Sequence, residues 1–108
     1  MHPHEVPTVE PRDVAEQVLV DVRESDEWAA GRAPTAVHIP LYDLPSRLAE
    51  LPPNRPLPVV CHVGGRSAQA VAWLAAQGVE AVNVRGGMIA WVQQGLPIEG
   101  DGPRPWIV

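Results

Sequence analysis

The chain has 108 residues with 8 basic against 13 acidic side chains, a net charge of −5, and every basic residue is an arginine. That length is one small domain, and with 45% hydrophobic residues it can bury roughly 60–70% of its unfolded surface, enough for one core. The acidic balance argues against a nucleic-acid partner. No apolar run approaches the roughly 20 residues of a membrane span, and a single cysteine, Cys61, excludes an intramolecular disulfide or a cysteine-rich zinc site.

Met1-His2-Pro3-His4-Glu5 lacks the charged and apolar regions of a signal peptide. A soluble cytoplasmic protein is therefore expected. His2 and His4 read as a mobile terminal stretch rather than a metal site. No internal repeat is visible. Val18-Leu19-Val20-Asp21-Val22 predicts a strand buried on both faces, as in a parallel sheet. Ser25 to Ala30 follows as a short helix with Ser25 as its cap and Gly31 as its stop. Ala36 to Ile39 reads as a second strand, closed by Pro40. Leu44 to Leu51 reads as a helix with Leu44, Leu48 and Leu51 on one side.

Leu57 to Cys61 is the third strand, with Pro58 near its start. His62 to Arg66 is a loop. Ser67 to Gln77 is the clearest helix, with Ala68, Val71, Ala72 and Ala75 at i, i+3, i+4 and i+7 and Gly78 at its end. Val79 to Val84 gives a fourth strand, Arg85-Gly86-Gly87 a turn, and Met88 to Gln94 a last helix. Strands alternating with helices indicate an α/β sandwich around a mostly parallel sheet, in which ligands sit at the carboxyl ends of strands. Cys61 is at such an end.

An isolated cysteine there is more often an inert core thiol. The context Cys61-His62-Val63-Gly64-Gly65-Arg66-Ser67 reverses that balance. Gly64 and Gly65 allow a tight turn whose amides face inward as an anion cradle. The positive end of the following helix and the Arg66 guanidinium add to the field. Such a field favours the thiolate, the nucleophilic form, and stabilises developing negative charge.

With these residues the chain resembles the single-domain rhodanese family of sulfurtransferases from about Val18 to Ile98. The resemblance rests on an ordered set. Asp21-Val22-Arg23-Glu24 comes first, then Glu27-Trp28-Ala29-Ala30-Gly31 with Pro34 and Ile39-Pro40. The Cys61–Ser67 loop follows, then Gly86-Gly87-Met88-Ile89-Ala90-Trp91 and Gly95-Leu96-Pro97-Ile98. Four positions depart from the family pattern: Arg32-Ala33 replaces the usual His-Ile, Thr35 a common glycine, and His38 a common asparagine.

The resemblance implies a rhodanese-like three-layer sandwich, a mostly parallel five-stranded sheet with helices on both faces. It implies one domain over residues 1–108, with a core of about 6–99 and a tail from 100. Cys61 would take the outer sulfur of a donor such as thiosulfate or a persulfide and hold it as a persulfide. Cyanide or a thiol, a protein acceptor included, would remove it, with no metal or organic cofactor. The amides of His62, Val63, Gly64, Gly65, Arg66 and Ser67 would cradle the sulfur, and Arg66 would help bind an anionic donor. Four residues separate Cys61 from Arg66. The related dual-specificity phosphatases use a loop one residue longer, so phosphate is expected to fit poorly. The alternative reading is a non-catalytic rhodanese module that binds a partner or senses sulfur or redox state.

Asp21 and Arg23 are expected to form a local ion pair that ties strand ends together. Arg32 and Arg85 are candidates for the rim of the site, and His62 for its mouth. Trp28, Trp73 and Trp91 read as packing residues. Trp106-Ile107-Val108 is expected to dock on the chain's own core.

Overall fold

The computed structural model describes residues 5–108, so the reading of His2 and His4 lies outside the described residues. Five strands form one sheet: β1 (Thr8–Val9), β2 (Leu19–Asp21), β3 (Ala36–His38), β4 (Leu57–Val60) and β5 (Ala81–Val84). Their order is β1-β5-β4-β2-β3, and every pairing is parallel. All strand carboxyl ends therefore share one edge. The three α-helices are α1 (Ser25–Ala30), α2 (Gly65–Ala76) and α3 (Gly87–Gln93).

The strands are short apolar runs because both faces are covered. Successive side chains point to opposite faces. Val20, Val22, Leu57, Val59 and Cys61 join Ala68, Ala70, Val71 and Leu74 of α2 in one core. Leu19, Val60 and Val84 join Met88 and Trp91 of α3 in the other. Pro58 pairs with Val82 in central strand β4.

Three expectations need correction, and one strand goes unread. Leu44 to Leu51 is not an α-helix but two 3-10 segments, Leu41–Ser46 and Leu48–Glu50. Pro45 inside the first lacks an amide and its ring clashes with a preceding α-helical carbonyl. The cap of α1 is Glu24 rather than Ser25, and the Glu27 side chain accepts the Glu24 amide at 2.9 Å. α2 begins at Gly65 rather than Ser67, so Gly65 and Arg66 belong to a helix turn and not to the loop. β1 was not read from the sequence; it is two residues between prolines, too short for any periodicity.

The tail from Gly100 folds back on its own chain. The amides of Asp101 and Trp106 donate to the carbonyls of Ala29 and Ala30. Ile107 packs against the second core, while the Trp106 ring remains exposed. Gly31 is required beneath it: a Cβ there would run into the Trp106 carbonyl.

Candidate active site

Cys61 directly follows β4, and its side chain is 1% exposed. The chain then turns through His62 and Val63 to Gly64, whose φ of 117° is left-handed and suits glycine. That turn launches α2 at once. The first intrahelical bond is Ala68 amide to Gly64 carbonyl. The amides of Gly65, Arg66 and Ser67 therefore lie in a first turn that has no helical acceptor for them. The Gly64 amide donates to Cys61 Sγ at 3.1 Å. The sulfur thus sits against the positive end of a 12-residue helix.

Ser67 is fully buried, and its hydroxyl has one hydrogen with three acceptors in reach. Asn83 Oδ1 is at 2.5 Å, Cys61 Sγ at 3.3 Å and the Gly64 carbonyl at 3.3 Å. Asn83 Nδ2 donates to the same Gly64 carbonyl at 3.2 Å, which fixes the amide so that Oδ1 faces Ser67. Asn83 on β5 therefore braces both the turn and the hydroxyl beside the sulfur. Sequence reading missed it, because a lone asparagine within an apolar strand is the only signal.

The far side of the loop rests on α3. The Met88 and Ile89 amides donate to the carbonyls of Cys61 and His62 at 2.8 and 3.1 Å. Gly87 has a φ of 61°, and a Cβ there would run into the His62 carbonyl. The glycine pair at 86–87 is thus a close-approach device. The His62 ring is half-buried, and its Nε2 is shielded from solvent without a hydrogen-bond partner. Val63 is exposed. An open pocket of about 370 Å³ flanks the loop, walled by Val63, Gly64, Gly65, Asn83, Arg85 and Gly86.

The four arginines near or proposed for the site, Arg23, Arg32, Arg66 and Arg85, are each paired with a carboxylate. Arg66 reaches Glu27 on α1 with two parallel bonds, Nη1 to Oε1 at 2.7 Å and Nη2 to Oε2 at 2.9 Å. The hydrogen bond from Arg66 pulls the Glu27 carboxyl from its ordinary 4.5 down to about 2. The Glu27 bond likewise raises Arg66, and charge on Cys61 and Asp21 adds to that effect. Asp21 and Arg23 are both fully buried and form the local ion pair expected of them. Arg23 donates to the carboxylate through its amide, Nε and Nη2, and to the Gly31 carbonyl at 2.6 Å.

Arg85 bonds Glu10 at 2.6 Å on the pocket wall. Arg32 is not brought to the loop. It lies over the Trp28 ring and binds Asp101 of the tail at 2.9 Å. Trp28 also stacks on His38, whose Nε2 is 2.7 Å from the Arg23 carbonyl. Trp91 is fully buried and donates to the Pro97 carbonyl, and Trp73 is half-buried. Among the described residues no group of three or more His, Cys, Asp or Glu is placed to hold a metal ion.

A lone cysteine at the carboxyl edge of a parallel sheet, backed by a glycine turn and a helix N-terminus, defines an α/β protein with a cysteine loop where such folds bind ligands. The family model for the rhodanese-like domain matches residues 9–94, and the chain belongs to that family. It is 44% identical over 87 residues to a sulfurtransferase of Allochromatium vinosum, covering 80% of this chain and 81% of the relative. A thiosulfate sulfurtransferase of Pseudomonas savastanoi is 36% identical over 75 residues, covering 68% and 71%. The crystal structure of a rhodanese-related protein from Thermoplasma volcanium superposes with a TM-score of 0.77 at 31% identity, covering 86% and 97%. No described helix is long and apolar enough to cross a membrane.

Proposed function

We propose that the chain is a sulfurtransferase that carries a sulfane sulfur on Cys61. The observation that supports this best is the Cys61 sulfur held by the Gly64 amide at 3.1 Å in front of the unpaired first-turn amides of α2. In the first step the thiolate attacks the outer sulfur of a donor, thiosulfate or an organic persulfide. The S–S bond of the donor breaks, and sulfite or a thiolate leaves with the electron pair. In the second step cyanide or a thiol, free or on a protein, attacks the outer sulfur of the Cys61 persulfide. Cys61 departs again as thiolate. Amides of His62, Val63, Gly64, Gly65, Arg66 and Ser67 surround the added sulfur and stabilise its charge. The 1% exposure of Cys61 favours a slender reactant such as a terminal sulfur over a bulky one. The reaction draws on no cofactor.

Intact-protein mass spectrometry tests the reading, with thiosulfate and cysteine persulfide as donors and Cys61→Ser as control. The parent protein should gain one sulfur, lose it to cyanide, and the variant should gain none. No gain from either donor would overturn the proposal in favour of a partner-binding module.

A further inference from the structure

The permanent cation that follows the Cys61 loop, Arg66 in the first turn of α2, is already paired. Each of its terminal nitrogens gives one N–H to the Glu27 carboxylate, and fork-to-fork pairing of this kind is the strongest a guanidinium makes. Glu27 is held in turn: its Oε1 also accepts the Glu24 amide at 2.9 Å, and its side chain is 16% exposed. With the carboxyl drawn down to about 2, the pair stays charged throughout the physiological range. The other arginines at this edge offer no substitute. Arg23 is buried on Asp21, and Arg85 is bonded to Glu10. A donor arriving at the loop therefore meets amide dipoles and no unpaired guanidinium, on a chain whose net charge is −5.

Resting on the sulfur-transfer reading of Cys61, we propose that Glu27 is a specificity-determining residue. By holding Arg66 in a two-bond pair, it withdraws the loop's cation and turns the site toward organic persulfides and away from dianionic donors. The two donor classes differ in where the charge lies. In thiosulfate the two negative charges are shared between the attacked sulfur and oxygens two bonds from it, and sulfite must leave as a dianion. In an organic persulfide, R–S–SH, the attacked sulfur carries its proton to Cys61 and a monoanionic thiolate leaves. Amide dipoles suffice for the second, whereas the first gains more from a free cation.

The experiment is a double-mutant cycle of Glu27→Gln and Arg66→Ala, with KM and kcat measured on thiosulfate and on cysteine persulfide. Glutamine keeps an acceptor for the Glu24 amide, so α1 retains its cap; melting curves check folding. Freeing a partly exposed guanidinium should raise the thiosulfate-to-persulfide ratio of kcat/KM by about 3- to 10-fold, mainly through KM for thiosulfate. Arg66→Ala should then cost thiosulfate turnover more in the Glu27→Gln background than in the parent, by about the same factor. A purely structural pair would slow both donors together and leave the ratio unmoved, which would overturn the proposal. So would an Arg66→Ala effect on thiosulfate equally large in both backgrounds. If the parent gains sulfur from neither donor, the sulfur-transfer reading fails and takes this one with it. If the parent cycles sulfur and only the ratio stays fixed, the specificity role of Glu27 alone fails.

Discussion

The loops after β2 and β4 leave the same edge of the sheet from neighbouring strands, with Asp21 beside Val60 in register, yet they treat polar groups in opposite ways. After β2 the charges are sealed. Asp21 and Arg23 are fully buried, and the carboxylate takes three bonding groups of a single arginine. After β4 the polar groups are left open. A helix's first-turn amides lack acceptors, and the Gly64 amide turns to a sulfur. The first loop spends its hydrogen-bonding capacity on the fold except at Arg23 Nη1, which is buried without a partner, whereas the second leaves a row of amides open beside a thiol. A buried charge alone is a poor guide to function, and a row of open amides beside a thiol is a better one.

The largest effect that would break this contrast is on stability. Asp21→Ala should leave Arg23 buried without its counter-charge. Losing one partner of a buried pair costs about 3–5 kcal/mol, a melting-point fall of roughly 12 °C or more for a domain of this size. A calorimetric loss under about 1 kcal/mol would mean that the β2 loop is not sealed by this pair.

Next comes a pair of glycines that separates strain from function. Gly87 and Gly95 both have left-handed φ, 61° and 74°, but only Gly87 faces the loop backbone, and Gly95 has open space. Alanine at either should destabilise by about 1 kcal/mol or more. Gly87→Ala should in addition slow sulfur uptake by about 10-fold or more, because the new Cβ pushes on the His62 carbonyl and displaces the cradle. Equal uptake by the two variants, read as persulfide formed per folded molecule, would separate the α3 contact from the site.

The smallest effect concerns acid. Glu27 is depressed in the folded chain, so its contribution is full above its unfolded value of 4.5 and is lost as pH falls toward about 2. The parent should lose melting temperature relative to Glu27→Gln across that window. The difference should stay within about 1 kcal/mol, since the partner Arg66 is partly exposed. Parallel melting curves for the two proteins from pH 5 to pH 2 would show that the pair adds nothing to folding.

Much of the site is legible in the sequence because it is local. Cys61, the left-handed Gly64, the helix after it and the 86–87 glycines each announce themselves within a few residues. The Arg66–Glu27 pair does not, since its partners are 39 residues apart and meet only when α1 and α2 present their first turns to each other. Asn83 is hidden for the same reason: its role exists only once β5 lies beside β4. The Leu44–Leu51 stretch misled because its leucine spacing fits a helix while Pro45 denies one. β1 was silent because Thr8–Val9 is defined by what it pairs with rather than by its own pattern.

The parallel sheet gathers every strand's carboxyl end at one edge, so the opposite edge lies away from the Cys61 loop. The turn between α2 and β5 lies there, and Gly78 within it is exposed, left-handed at φ 83° and without neighbours where a side chain would project. A label, a surface anchor or a fused domain inserted at this turn hangs on the far side of the sheet from Cys61. The architecture is thus modular in a practical sense: cargo can be hitched to one end of the domain while the Cys61 loop stays clear at the other.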